Sequence, residues 1–310
     1  MAQLRVHLFG RFQGRRGDRD LSGLNAAKAQ ELLCYLLLHK GRSLTREALS
    51  AFLWSDTPTA QSKKYLRQAL WHLSSALNSD AASGMTEVLV AGPEWVNINP
   101  EAEIWVDVAE FEGAFASAQG VPGRDLDDGT AQALEGAVQL YRGDLLEGWY
   151  QDWCLFERER LQNMLLGIVD KLMVYCAARG DCDRGISYGT RALSFDSARE
   201  QTHRRLMRLY YQEGNRTGAL RQYENCVRAL DRELGVGPAA RTVSLYEQIR
   251  ADQLAAIPPA QAEAVDKAGS PDTLPDILTY LKRISGTLAD LQRLITKDIK
   301  AAEILLRGRR

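Results

Sequence analysis

Lys63, Lys64, Arg67, Gln68 and Trp71 fall within one short run, AQSKKYLRQALWHLSSAL, over residues 60–77. Cations of this density would neutralise phosphates. An Arg offers two donors to a guanine edge, and a Gln amide matches adenine. Such chemistry needs a rigid rod that shows these side chains on one side. The spacing supplies it, because Leu66, Leu70, Leu73 and Leu77 recur at helical intervals as one apolar stripe. At about 100° per residue, Lys64, Gln68, Trp71 and Ser75 fall opposite the stripe, with Arg67 on its flank. Lys63 and Lys64 sit in the first turns, where a recognition helix meets the nucleic-acid backbone. Arg42 and Arg46, just upstream, would share the phosphate load. For Trp71 the expectation is packing against the hairpin that follows, with a sugar or thymine-methyl contact as the alternative. Tyr65 and His72 read as partly buried, and Arg11, Arg15 and Arg16 as a solvated turn, with a DNA contact as the alternative.

The flanking sequence shows how such a helix would be held. Leu4 to Phe9 alternates apolar and polar, as a strand does, and Gly10, Gly14 and Gly17 mark turns after it. Residues 26–39 form a strongly apolar helix stopped by Gly41. Residues 45–54 form a second, with Ser43 or Thr45 as its cap and Glu47 in its first turn. Residues 87–98 read as two short strands around Gly92-Pro93. Strands, three helices and a hairpin are the plan of a winged helix, whose third helix enters the major groove.

From Val106 the pattern is helical: 106–119, 130–141, 153–178, 183–194, 198–213, 217–234 and 239–257. Gly180 and Gly214 stand 34 residues apart, as do Ile186 and Leu220, and Leu193 and Val227. That spacing is the tetratricopeptide period, in which stacked helix pairs share a continuous core. Five prolines and glycines mark residues 258–275 as a linker. Beyond it, Ile277, Leu281, Ile284, Leu288, Leu291 and Ile295 alternate at steps of 4 and 3, a heptad seam suited to self-association. The expected fold is therefore mainly α. A winged-helix (α+β) domain takes residues 1–100 and an all-α tetratricopeptide-like domain 101–257. A linker covers 258–275, and an amphipathic or coiled-coil oligomerisation helix 276–310.

Charge follows the same division. The net charge of −1 conceals +4 over residues 1–100, −7 over 101–255 and +2 over 256–310. A positive N-terminal third suits a polyanion, and an acidic middle suits another partner. No apolar run approaches the roughly 20 residues that span a bilayer, and the N-terminus lacks a secretory pattern. The five cysteines are scattered without a CxxC pair, so neither a zinc site nor a redox motif is supported. A cytoplasmic protein that contacts no membrane is expected, with no metal and no cofactor. Phosphate-loop, dinucleotide, HExxH and GxSxG motifs are all missing. His7, His39, His72 and His203 have no nucleophile nearby, so no enzyme activity is expected.

Two segments carry a resemblance. YRGDLLEGWYQDWCLFERER (141–160) is one; the run from Leu193 to Ile249, with LMRLYYQ, RQYE and RELGVGP, is the other. Both resemble the bacterial transcriptional activator domain. The LFGRF start, the TREALSAFLW helix and the helix at 60–77 resemble the winged helix that precedes it in SARP-type regulators. The resemblance covers roughly residues 3–252. It implies a transcription factor, an activator, that binds double-stranded DNA through the helix 60–77 and a wing at 87–98 and recruits RNA polymerase. Ser74-Ser75 departs from the family, which commonly carries basic residues there. Two other readings stay open: a protein-interaction scaffold whose winged helix no longer binds DNA, and a regulator whose helical domain senses a small-molecule effector.

Overall fold

The computed structural model describes residues 4–17, 19–21, 27–78 and 87–253. The expected linker and the heptad seam from Ile277 to Ile295 lie outside the described residues. The described chain is mainly helical, with two small sheets toward its N-terminus.

The first sheet is ordered β3-β2-β1-β7. β1 is Leu4–His7, β2 Gln13–Arg16, β3 Arg19–Asp20 and β7 Ile104–Val106. Alternation explains β1, since Leu4 and Val6 are buried while Arg5 is exposed. β2 runs antiparallel to β1, pairing Val6 with Gly14. Gly14 is thus a strand residue, not the turn that its type suggested. β7 runs parallel to β1, pairing Val6 with Val106 across the whole winged helix. The helix expected from Val106 therefore starts one residue later, as α4, Asp107–Ser117.

Between these strands lie α1 (Ala27–Leu38), α2 (Arg46–Leu53) and α3 (Thr59–Asn78). Thr45 caps α2, its hydroxyl accepting from Ala48 N at 3.1 Å. The wing is a three-stranded sheet rather than a bare hairpin. β5 (Leu89–Ala91) and β6 (Trp95–Ile98) pair as expected, and β4 (Leu44–Thr45) adds to β6 in front of α2. Leu32, Leu33 and Leu36 of α1 and the α3 leucines are buried with Val96 and Ile98 of the wing.

The helical part stacks α4 with α5 (Asp128–Leu140), α6 (Asp152–Arg179) with α7 (Cys182–Phe195), and α8 (Glu200–Gln212) with α9 (Arg216–Leu234), before α10 (Ala240–Arg250). Gly180 and Gly214 close α6 and α8 with φ of +73° and +80°, so the 34-residue spacing marks two equivalent turns. Gly185 and Ala219 repeat as buried positions, as do Ala192 and Cys226. α6 is, by length and composition alone, long and apolar enough to cross a bilayer, although Asp170 and Lys171 interrupt it and no uncharged run within it approaches the expected roughly 20 residues. Its Leu161, Leu165, Ile168, Val169 and Leu172 face the core. His203 is buried, with Gln222 Nε2 at 2.7 Å from Nδ1 and the Ser197 carbonyl at 2.9 Å from Nε2. Burial lowers its pKa, so the ring is a neutral packing element.

One core cluster runs from Leu4 through Leu33 and Leu73 to Leu165 and Leu209, so the winged helix and the helical part share an interior. Their joint is polar at Asp107, among other places. The buried Asp107 carboxylate accepts from Leu8 N at 2.9 Å, Phe9 N at 3.0 Å and Val108 N at 2.8 Å. Burial pushes this carboxyl above the usual range, against the pull of those three N–H groups. Asp107→Ala would orphan all three donors at about 1–3 kcal/mol each. Urea unfolding of the full chain should lose at least about 3 kcal/mol, and Asp107→Asn, which keeps one acceptor, less than half of that. A second test concerns Gly123, in the 3₁₀ turn before α5. A Cβ there would stand 2.6 Å from the Lys171 carbonyl oxygen and 2.8 Å from Val174 Cβ, in the spine of α6. Gly123→Ala should cost about 1–3 kcal/mol and lower the melting temperature, whereas Gly113→Ala, which meets nothing within 4 Å, should not.

Candidate nucleic-acid interface

The α3 stripe is built as its spacing requires. Leu66, Leu70, Leu73 and Leu77 are each no more than 4% exposed, and Lys63, Lys64, Arg67, Gln68, Trp71 and Ser75 are exposed. The helix is therefore anchored along one side and offers the other. Its C-terminal end has no basic residue in the last turn. Arg16 of β2 supplies the charge instead, its guanidinium donating to the Leu77 carbonyl. Arg15 pairs with Asp20 at 2.7 Å. Of the turn arginines expected to be solvated, Arg16 thus holds α3 in place.

The first half of α3, the start of α2 and the β5–β6 turn enclose a cleft of about 460 Å³. Arg46, Lys63, Arg67 and Trp95 line it together with Glu47 and Glu94, three cations against two carboxylates. Arg46 Nε donates to the Gly92 carbonyl at 2.8 Å, and its backbone N–H to the Glu94 carbonyl at 2.8 Å. The wing turn is thereby fastened to the N-terminus of α2. Lys63 Nζ is 3.5 Å from Glu47 Oε1, a solvent-exposed pair of little energetic weight that a phosphate can displace.

The structure thus brings Arg46, Lys63 and Arg67 together and extends them with Lys64 and Gln68 on the same helix. Arg42 does not line the cleft. It is exposed in the turn after α1, close enough to Tyr35 to lower that phenol's pKa against the larger upward push of burial. Trp71 corrects an expectation. It is 65% exposed, with its ring edge-on to His72 at 5.0 Å, so it projects from α3 instead of packing on the wing. Tyr65 and His72 are half-buried, as expected, and Tyr65 takes a 2.6 Å hydrogen bond from Gln61. The residue that sequence reasoning missed is Trp95, 49% exposed at the mouth of the cleft. Its signal lay in the alternation of β6, where Val96 and Ile98 point inward and Trp95 must point out. Among the described residues no group of three or more His, Cys, Asp or Glu is placed to hold a metal.

The segment that joins this unit to the helical part explains the YRGDLL run. Leu146 N donates to Leu8 O, Glu147 N to Gly10 O, and Gly10 N to Asp144 O, each at 2.8 Å. Arg158 braces the turn, donating to the carbonyls of Leu145 (2.9 Å), Leu146 (3.2 Å) and Trp149 (3.2 Å). Trp153 Nε1 reaches the buried Glu31 of α1 at 3.1 Å, and Lys28 closes on the same carboxylate at 2.9 Å.

Comparison with known proteins agrees with this build. Residues 106–250 match the family of the bacterial transcriptional activator domain. The transcriptional regulatory protein MoaR1 of Mycobacterium tuberculosis is 26% identical over 229 residues, 73% of this chain and 73% of that protein. The regulatory protein AfsR of Streptomyces coelicolor is 27% identical over 262 residues, 83% of this chain but only 26% of AfsR. Among solved structures, Mycobacterium tuberculosis EmbR in complex with a low affinity phosphopeptide superposes with a TM-score of 0.65 at 18% identity. That match covers 87% of this chain and 70% of that one, and it shows the shared fold. The chain carries a bacterial transcriptional activator domain at residues 106–250 and is similar over most of its length to transcriptional regulators, with a winged helix followed by a tetratricopeptide-like helical part.

Proposed function

We propose that this regulator is a sequence-specific DNA-binding activator that sets the first half of α3 in the major groove with the β5–β6 wing beside it. The observation that carries the reading is the convergence of Arg46, Lys63, Arg67 and Trp95 on one open cleft, continued by exposed Lys64, Gln68 and Trp71. Lys63, Lys64, Arg42 and Arg46 take phosphates, while Arg67 and Gln68 read base edges. Trp71, standing free of the wing, contacts a sugar or a thymine methyl. The acidic helical domain meets RNA polymerase or another protein, or a small-molecule effector. Residues 276–310 assemble copies of the chain through Ile277, Leu281, Ile284, Leu288, Leu291 and Ile295. The protein works in the cytoplasm, without a cofactor.

The scaffold reading keeps one observation in its favour: α3 has Ser74-Ser75 and no basic residue in its last turn. Binding to fragments from the gene's own neighbourhood, over a salt series with competitor DNA, separates the two. Retention should concentrate on one fragment and fall steeply with salt. Lys64→Glu with Arg67→Glu should then weaken it by at least about 100-fold and flatten the salt slope by about one for each phosphate no longer neutralised. Oligomeric state should stay as in the parent chain. Weak, equal retention on every fragment, unaffected by the double substitution, would transfer the assignment to the scaffold.

A further inference from the structure

Away from the cleft, the fold leaves one apolar face open where α6 begins. Trp153 and Cys154 turn inward, so Asp152, Leu155, Phe156 and Glu159 face outward at i, i+3, i+4 and i+7. Phe156 is 72% exposed, Leu155 42%, and Tyr150 in the preceding turn 77%. At roughly 200 Å² per aromatic side chain, Tyr150 and Phe156 alone leave roughly 300 Å² uncovered, the size of patch that is often functional on a soluble protein.

The rim of this face is acidic. Glu147, Asp152 and Glu159 are exposed around it. Of the cations nearby, Lys28, beside Tyr150, pairs with Glu31 at 2.9 Å, Arg158 donates to carbonyls, and Arg160 bonds Glu112 at 2.5 Å and Glu157 at 2.8 Å. DNA and an anionic lipid surface are both repelled by such a rim. A two-fold contact with a second copy, centred on Leu155 and Phe156, would set Asp152 of one copy against Glu159 of the other, acid on acid. An apolar surface flanked by cations is complementary. We propose that this face docks an amphipathic helix of a separate protein, one that carries Lys or Arg beside its apolar stripe. The bound helix would lie on the body that carries α3, since α6 and α3 share one core.

The test uses the full chain and labelled synthetic helices about 18 residues long, roughly five turns. One pairs leucine with lysine in an amphipathic pattern, a second replaces lysine by glutamate, and a third scrambles the first. Fluorescence anisotropy at about 0.15 M salt should give micromolar binding of the leucine–lysine helix alone. Phe156→Ser with Tyr150→Ser should weaken it at least about tenfold, with the circular dichroism melt unchanged because both side chains are exposed. Asp152→Lys with Glu159→Lys should shift preference to the glutamate helix. Equal binding of all three helices, binding that survives the Phe156 and Tyr150 substitutions, or no binding at all overturns the proposal. So does a smaller oligomer for that variant in sedimentation, which would make the face a contact between copies.

Discussion

Three backbone N–H groups converge on the buried Asp107 carboxylate, and the relation of one half of the protein to the other depends on that meeting. A carboxylate out of water is costly unless its oxygens are occupied. Leu8 and Phe9 occupy them from the end of the N-terminal sheet, and Val108 from the first turn of α4. The neighbouring backbone is used as well, with Leu8 O and both polar groups of Gly10 taken by residues 144–147. None of these bonds survives a shift of one part against the other. The apolar core that continues from Leu33 to Leu165 therefore has a single packing, and α3 is held in a defined place relative to α6.

That fixed frame explains why the presenting face of α3 is so economical. The helix is anchored by four leucines and closed at its C-terminal end by Arg16, a residue from another element. The wing is fastened to α2 by Arg46. With position settled by these contacts, the exposed side chains of α3 carry no structural burden. Its cations, Lys63, Lys64 and Arg67, all lie in its first half. The second half presents Trp71 and Ser75. Ser74-Ser75 falls in that second half, so the cationic part still faces the wing.

Much of this is legible in the sequence, and the reasons for the rest are physical. The long helices and the α3 stripe are readable because a 3.6-residue period repeats several times within each element. β4 and β7 are not, because strands of two and three residues hold no period, and the partner of β7 is 100 residues away. Gly14 reads as a turn for the same reason: residue type suggests a break where cross-strand pairing decides the outcome. The YRGDLL run is recognisable as a motif, but its role as a brace under the sheet emerges only with Arg158 and Leu8 seen together. In the cleft, Arg46, Lys63 and Arg67 are anticipated by their charge and spacing. Trp95 is passed over since a short hairpin draws attention to its turn, although alternation alone turns it outward.

The charge division also acquires a spatial meaning. On the proposed reading the protein must offer DNA one face and deny it the others. The +4 of residues 1–100 is too small to select a face by attraction alone. Exclusion adds to it: residues 101–255 carry −7, and the start of α6 shows Asp152 and Glu159 outward. Because screening limits such effects to about 8 Å at physiological salt, they act on whatever approaches that surface closely and leave the cleft between α3 and the wing untouched. On that reading, an acidic helical part in fixed relation to a mildly basic winged helix would add repulsion to contact in orienting a polyanion. The same carboxylates that turn DNA away are the ones that would receive a basic helix.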